Sequence, residues 1–244
     1  AEDVVVEEAT QSQEVQQRQG MWRGYLGLFG GALLHLACGS MYCWGNSLSY
    51  MPPHLKYWGG AAAAAAGGVP DAQFVLAFTI IAQTIGMPLG PAVEKVLGPR
   101  RTALIGALLM GGGVFFASFA TSLATFVPLY CVVFGLGVGL AYQMPIINGA
   151  KWFPRAAGLV SGVVVFGMGA SAFFFNQLAS RIANPLGANP VGGLFPTSVY
   201  ASWPVLLRTL GAIYTCVGVL GALLQSPPKP EDDTADCEAV EIAL

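Results

Sequence analysis

Charged residues are scarce in this sequence. Asp, Glu, Lys and Arg make up only 10 % of its 244 residues, against about a quarter in ordinary soluble domains. Hydrophobic residues make up 55 %. A chain with so few charges cannot cover a surface that faces water, so the composition predicts a protein whose solvent is lipid. The net charge is −2, and no basic patch suited to nucleic acid occurs.

Motifs of soluble enzymes are also missing. The five cysteines are scattered and form no Cys-x-x-Cys or Cys/His pattern that would hold a metal. Residues 135–139 read Gly-Leu-Gly-Val-Gly, which is not the dinucleotide-binding pattern, and no Walker, HExxH or GxSxG motif occurs. The sequence therefore predicts a protein that is not an enzyme and has no cofactor or metal. An intramembrane hydrolase would need a nucleophile near His35.

Long apolar runs are the most prominent feature that is present. A helix needs about 20 residues to cross the bilayer core, and six runs have that length: 24–48, 72–95, 101–122, 125–149, 156–180 and 204–225. They lack the alternation between lipid-facing and lumen-facing residues that membrane β-barrels show. The sequence therefore predicts an all-α membrane protein with six transmembrane helices.

The ends of the chain differ from this apolar part. Residues 1–22 form a polar acidic tail, and residues 23–225 form the predicted transmembrane domain. Residues 226–244 begin with the proline-rich stretch 226–230 and continue into an acidic segment. We expect this last segment to be a tail or a linker to a further domain.

Basic residues predict the orientation. If the N-terminus lies inside, eight of the eleven basic residues lie inside and three outside, which agrees with the positive-inside rule. The inner set is Arg18, Arg23, Lys95, Arg100, Arg101, Lys151, Arg155 and Lys229; the outer set is Lys56, Arg181 and Arg208. Both termini are therefore predicted on the cytoplasmic side of a membrane, or on the matrix or stromal side in an organelle.

Polar side chains within the spans are few. His35 is the only His, Lys, Arg, Asp or Glu deep in a predicted span, and such residues are costly in lipid. In an α-helix, His35, Tyr42 and Asn46 fall within about 40° of one another, while Tyr142 and Gln143 lie in the fourth span. These five residues are predicted to line a polar path in which His35 binds an anion or relays a proton. The alternative is that His35 only hydrogen-bonds a neighbouring helix.

Small and aromatic residues make further predictions about packing. Glycines recur at four-residue spacing, which favours close contact between membrane helices; the pairs are Gly27/Gly31, Gly86/Gly90 and Gly135/Gly139. Tryptophans near helix ends are predicted to anchor at the membrane interface; these are Trp22, Trp58, Trp152 and Trp203. Arg208 is predicted to extend to the outer interface, or alternatively to bind an anion.

Three stretches resemble the N-terminal half of a major facilitator superfamily transporter. They are Tyr42-Cys43-Trp44-Gly45-Asn46, residues 90–101, and residues 135–169 with Trp152-Phe153-Pro154-Arg155 between two glycine-rich parts. Together they span most of residues 21–225. The nearest branch is the oxalate/formate antiporter and monocarboxylate transporter group.

The resemblance implies one half of a twelve-helix transporter. Helices one and four would lie along a central cavity, and a second six-helix half, in the same chain or another subunit, would complete it. It also implies an inner gate formed by Glu94, Lys95, Arg100, Arg101 and Arg155. This sequence departs from the superfamily signature in three ways: Gly98 lies four residues after Glu94 instead of three, Glu replaces the usual Asp, and Lys95 replaces Arg. The alternative is an ordinary basic loop.

The function that the resemblance implies is secondary active transport. A small organic anion, such as a mono- or dicarboxylate, would move by alternating access through exchange or proton coupling. The alternative is a non-transporting accessory subunit of a larger membrane complex. A coding frame that continues into six more helices would favour the transporter, whereas a stop after Leu244 would favour the accessory role or a half-size dimer.

Overall fold

Six long helices make up most of the computed structural model, which describes residues 21–228. They are α1 (Met21–Tyr50), α2 (Asp71–Leu97), α3 (Pro99–Ala117), α4 (Leu123–Trp152), α5 (Pro154–Ala183) and α6 (Trp203–Leu223). Each is long and apolar enough to cross a membrane, and two short helices, Gly60–Ala66 and Thr197–Ala201, lie in loops. No strand of a sheet occurs in the described range. The predicted all-α membrane fold with six spans is confirmed, while the acidic tails at 1–20 and 229–244 lie outside the described residues.

Two kinds of helix end follow from local sequence. Gly98 ends α2 with φ +80°, a conformation that glycine adopts without a steric penalty, and Pro99 then begins α3, where its missing N–H is not needed. Ser122 caps α4, since its hydroxyl accepts a hydrogen bond from the Thr125 N–H at 3.3 Å. We call the end that carries Gly98 the inner end and the end that carries Ser122 the outer end.

Two of the long helices are irregular within the membrane. α1 tightens into a 3₁₀-helix at Gly39–Cys43, and α4 widens into a π-helix at Pro128–Val133. α4 also contains Pro145, which has no N–H to donate to the carbonyl of Ala141. Such departures from α-geometry change the direction of the residues that follow them.

α4 is central to the packing. It packs against α2 on one side and α3 on another, and α3 packs in turn against α6. A Cβ atom added to Gly139 would lie 2.7 Å from the Cα of Gly86, so only glycine permits this approach of α4 to α2. The predicted role of the glycine pairs in close helix packing is confirmed here.

Aromatic rings fill the outer end between α1, α4 and α6. The ring centroid of Trp44 lies 5.7 Å from Phe126, 5.0 Å from Tyr130 and 6.4 Å from Trp203. We call these four residues the aromatic cluster; all are buried. The indole N–H of Trp44 also donates to the carbonyl of Ala72 at 2.9 Å, which ties the start of α2 to the cluster.

The tryptophans predicted as interface anchors divide into two groups. Trp22 and Trp58 are 67 % and 54 % exposed, as an interface anchor requires. Trp203 and Trp152 are 2 % and 6 % exposed, so the prediction is wrong for them. Trp152 packs in a small inner cluster and donates its indole N–H to the carbonyl of Ser226 at 2.6 Å.

Buried amides join the same three helices at the inner end. Gln225 is fully buried just beyond α6 and donates to the carbonyl of Gly27 in α1 at 2.9 Å. Its own carbonyl oxygen accepts from the Nδ2 of Asn148 in α4 at 3.0 Å. We call Gly27, Asn148 and Gln225 the amide network. Buried polar groups need such partners, because an unmade hydrogen bond is costly away from water.

Candidate functional site

His35 lies at the centre of the predicted polar path and is fully buried. Its Nε2 is 2.9 Å from the backbone carbonyl oxygen of Tyr142, and the two rings are 4.8 Å apart at their centroids. Because a carbonyl oxygen only accepts, Nε2 carries the hydrogen and donates it. The hydrogen bond to a neighbouring helix that the sequence left open is therefore present, and the structure brings His35 and Tyr142 together.

The close approach of α1 to α4 explains why this bond forms. A Cβ atom added to Gly31 would lie 2.8 Å from the Cβ of Pro145, so glycine at this position lets the two helices touch. His35 follows Gly31 by one helical turn and therefore lies on the same face. The contact between Gly31 and Pro145, which are far apart in the sequence, therefore positions His35 against α4.

The second nitrogen of the His35 ring is unusual. Nδ1 is buried and has no hydrogen-bond partner in the described part of the chain. In the tautomer that the Tyr142 contact requires, Nδ1 has a free lone pair that accepts a proton or a hydrogen bond. The two described carboxylates, Asp71 and Glu94, lie at helix ends. Nδ1 is therefore a fully buried atom of this site with unused hydrogen-bonding capacity.

Asn46 lies in a different environment from His35. Its Nδ2 is 3.3 Å from both the backbone oxygen of Asn176 and the hydroxyl of Ser180 in α5. The tighter winding of Gly39–Cys43 turns the residues beyond it away from their α-helical direction. As a result, Asn46 contacts α5 while His35 contacts α4, and the single face expected from regular helical periodicity is divided between two neighbours.

The remaining predicted site residues have free polar groups. Tyr42 is 50 % exposed, and within residues 21–228 its hydroxyl makes no hydrogen bond. Gln143 is partly exposed and likewise has no hydrogen-bond partner in that range. Tyr142 is partly buried, with its ring against His35. The hydroxyl of Tyr42 and the amide of Gln143 are therefore available to bind a solute.

The inner end carries the residues of the predicted gate. Glu94 Oε1 is 3.2 Å from the Nζ of Lys151, and this pair joins the end of α2 to the end of α4. Among described residues, neither Arg100 nor Arg101 forms an ion pair. The carboxylate of Glu94 is thus paired with Lys151, which the sequence analysis did not include in the gate. The sequence did predict that both residues lie on the inner side.

The other cations of the predicted gate lie nearby in the chain and reach solvent. Lys95, Arg100, Arg101 and Arg155 are all exposed. Their grouping at one end agrees with the pattern that the sequence predicted for the inner side. The gate itself stays a prediction for all five residues.

Arg208 makes two contacts near the outer end. Arg208 donates from Nε to the hydroxyl of Ser118 at 3.2 Å, and its guanidinium lies 4.6 Å from the centre of the Phe119 ring. It is exposed near the outer end, as the interface prediction requires. The pairing of Asn148 with Gln225 was not predicted from the sequence, because 77 residues separate the two side chains.

Six helices, each long and apolar enough to cross a bilayer, define a multi-pass integral membrane protein. No protein-family model matches the chain. Curated proteins do match it, and those with an assigned activity in their names are carriers.

The relatives support the predicted resemblance. The chain is 31 % identical to apicoplast pyruvate carrier 1 of Toxoplasma gondii, over 80 % of this chain and 40 % of that carrier. It is 30 % identical to monocarboxylate transporter 13 of Rattus norvegicus, over 67 % of this chain and 34 % of that transporter. It is 24 % identical to the uncharacterized MFS-type transporter YhjX of Escherichia coli (strain K12), over 87 % of this chain and 47 % of that transporter. The resemblance to major facilitator and monocarboxylate transporters is confirmed. The chain spans less than half the length of each of these relatives.

Proposed function

We propose that this chain is the N-terminal six-helix half of a secondary carrier that moves a small monocarboxylate across a membrane by alternating access. The names of two relatives refer to pyruvate and to monocarboxylates, which supports a small carboxylate as the solute. A second six-helix half, in the same chain or another subunit, would close the other side of the cavity.

The observation that carries this proposal is the polar contact between α1 and α4. Polar groups in the middle of a membrane are costly and usually functional, and here the Nδ1 of His35 and the side chains of Tyr42 and Gln143 have no partner among the described residues. The hydroxyl of Tyr42 and the amide of Gln143 would donate to a carboxylate. His35 would add a positive charge when a proton binds to Nδ1.

The change between inward- and outward-open states would use the inner end. Glu94 and Lys151 join α2 to α4, and Lys95, Arg100, Arg101 and Arg155 surround the same end. In this proposal the carboxylate of Glu94 exchanges cationic partners as the gate opens and closes. Such exchange is inexpensive, because exposed ion pairs contribute only about 0–1 kcal/mol each.

Uptake of labelled pyruvate by the full-length protein in reconstituted vesicles tests the proposal. Tyr42→Phe removes only a hydroxyl, and loss of one hydrogen bond to a charged solute should reduce uptake about ten-fold or more. His35→Leu should have a larger effect than His35→Gln, since glutamine still donates to the Tyr142 carbonyl. Tyr25→Phe, a matched change on α1 outside the polar contact, should leave uptake unchanged.

Two outcomes would contradict the proposal. Uptake that is unchanged in both His35→Leu and Tyr142→Phe would remove these residues from the solute path. Absence of uptake for every mono- and dicarboxylate, together with stable association with another membrane protein, would favour the accessory subunit.

A further inference from the structure

A groove opens at the inner end beside the predicted gate. It has a volume of about 520 Å³ and lies between the turn that joins α2 to α3 and the end of α6. Its walls combine leucines with two arginines: Leu97, Leu104, Leu223, Arg100 and Arg101. We call it the inner groove. It lies apart from the contact between His35 and Tyr142, which is at mid-depth.

The charge of the inner groove is not neutralised by the described residues. Arg100 and Arg101 are exposed and have no ion-pair partner in that range. The first turn of α3 contains no acidic residue, and Lys151 already occupies the neighbouring carboxylate of Glu94. Two adjacent guanidinium groups without a carboxylate favour an anionic ligand, and arginine binds phosphate with paired hydrogen bonds.

The apolar part of the inner groove restricts what that ligand can be. Leu97 is 37 % exposed and Leu223 is 41 % exposed, so aliphatic surface lies directly beside the charges. These leucines are the last residues of α2 and α6. The groove is therefore at the depth where lipid headgroups meet acyl chains. A ligand that fits both parts has an anionic head and an aliphatic body.

We propose that the inner groove binds one anionic phospholipid, with its phosphate on Arg100 and Arg101 and its upper acyl chain against the three leucines. Basic sites between membrane helices on the inner side recognise anionic headgroups in this way. The lipid would lie against both the α2–α3 turn and α6, which the described side chains do not link by an ion pair. Lipid binding shares Arg100 and Arg101 with the proposed gate, but it requires no solute, so a binding measurement tests it separately from transport.

Native mass spectrometry of the full-length protein in neutral detergent tests this proposal. Delipidated protein is titrated with phosphatidylglycerol or with phosphatidylcholine, and bound lipids are counted. Wild type should retain one more phosphatidylglycerol than phosphatidylcholine. Arg100→Gln/Arg101→Gln should weaken binding of that one lipid about ten- to thirty-fold, while Arg208→Gln, which removes an exposed arginine at the outer end, should leave it unchanged.

A second variant separates a phospholipid from other anions. Leu223→Trp fills the groove from a partly exposed position and keeps both arginines, so it should also weaken phosphatidylglycerol binding. Equal binding in wild type and in the double arginine variant would overturn the proposal. Displacement of the lipid by millimolar inorganic phosphate, with no effect of Leu223→Trp, would assign the site to a free anion instead.

The acidic segment 231–241 is the competing occupant within the chain. Replacing its carboxylates by amides should leave lipid binding in wild type unchanged. Lipid binding that is seen only after this replacement would show that the segment occupies the groove, and would also overturn the proposal.

Discussion

The outer and inner ends of the bundle hold the same three helices together by different means. At the outer end, α1, α4 and α6 meet through the rings of the aromatic cluster. At the inner end they meet through the amide network, where one glutamine bonds to both other helices. The spacing of the helices accounts for the difference. A Cβ atom added to Gly30 would lie 2.7 Å from the backbone oxygen of Gly221, so large side chains do not fit between α1 and α6 there.

The aromatic cluster and the amide network respond differently to substitution. Ring packing depends mainly on contact area, because it is the sum of many small dispersion contacts. Amide bonds depend on angle and distance, and a broken one leaves a buried polar atom. Substitutions in the aromatic cluster should therefore lower stability in proportion to the side-chain volume that they remove. Substitutions in the amide network should lower it according to which buried polar group loses its hydrogen-bond partner.

The largest effect is expected at the aromatic cluster. Trp44→Ala removes a fully packed ring and the hydrogen bond to Ala72, and such truncations cost about 3–5 kcal/mol. Unfolding in a detergent titration, followed by far-UV circular dichroism, measures the change. Trp44→Phe keeps most of the ring volume and should cost clearly less. Equal losses in the two variants would show that volume does not control this end.

The amide network should give the next largest effect. Gln225→Leu leaves Asn148 and the Gly27 carbonyl without their partner, at a cost of about 1–3 kcal/mol. The same unfolding titration applies. In a double-mutant cycle, Gln225→Leu combined with Asn148→Leu should cost less than the sum of the single changes, because one broken bond is shared. Strict additivity would contradict the shared network.

The ion pair at the inner end should contribute less. The side chain of Lys151 is 48 % exposed and that of Glu94 is 15 % exposed, and ion pairs that reach solvent contribute about 0–1 kcal/mol. Glu94→Gln should therefore lower the free energy of unfolding slightly at low salt and have no effect at high salt, where the attraction is screened. A loss that persists at high salt would indicate that Glu94 stabilises the fold by other contacts.

Lys56 in the first outer loop should have the smallest effect on the free energy of unfolding, and this effect should depend on pH. Burial lowers the pKa of Lys56, so between the lowered pKa and the ordinary lysine value the unfolded chain binds more protons than the folded chain. The contribution of Lys56 to stability should therefore rise with pH across that window. Lys56→Gln should remove this contribution, so the difference in the free energy of unfolding between wild type and variant should change with pH across that window. An unchanged profile would assign the dependence to another group.

The sequence predicted what depends on local composition. Apolar runs identify spans because each is a contiguous segment, and the six spans and the close helix packing at the glycine pairs were predicted correctly. The partner of His35 is a backbone carbonyl, which no side-chain pattern indicates. The pairing of Glu94 with Lys151 spans 57 residues and depends on how the helices assemble. Trp203 and Trp22 are both tryptophans at helix ends, and only packing separates the buried one from the exposed one.

The 3₁₀ segment of α1 has a mechanical consequence. A 3₁₀-helix rises about 2.0 Å per residue and an α-helix about 1.5 Å, so the five residues Gly39–Cys43 make α1 about 2.5 Å longer than a regular helix of the same sequence. Rewinding them would retract Tyr50 and the loop that follows by that distance, while His35 stayed in place. A change of these five residues from 3₁₀ to α geometry would therefore shorten α1 on the side of Tyr50 without breaking the helix.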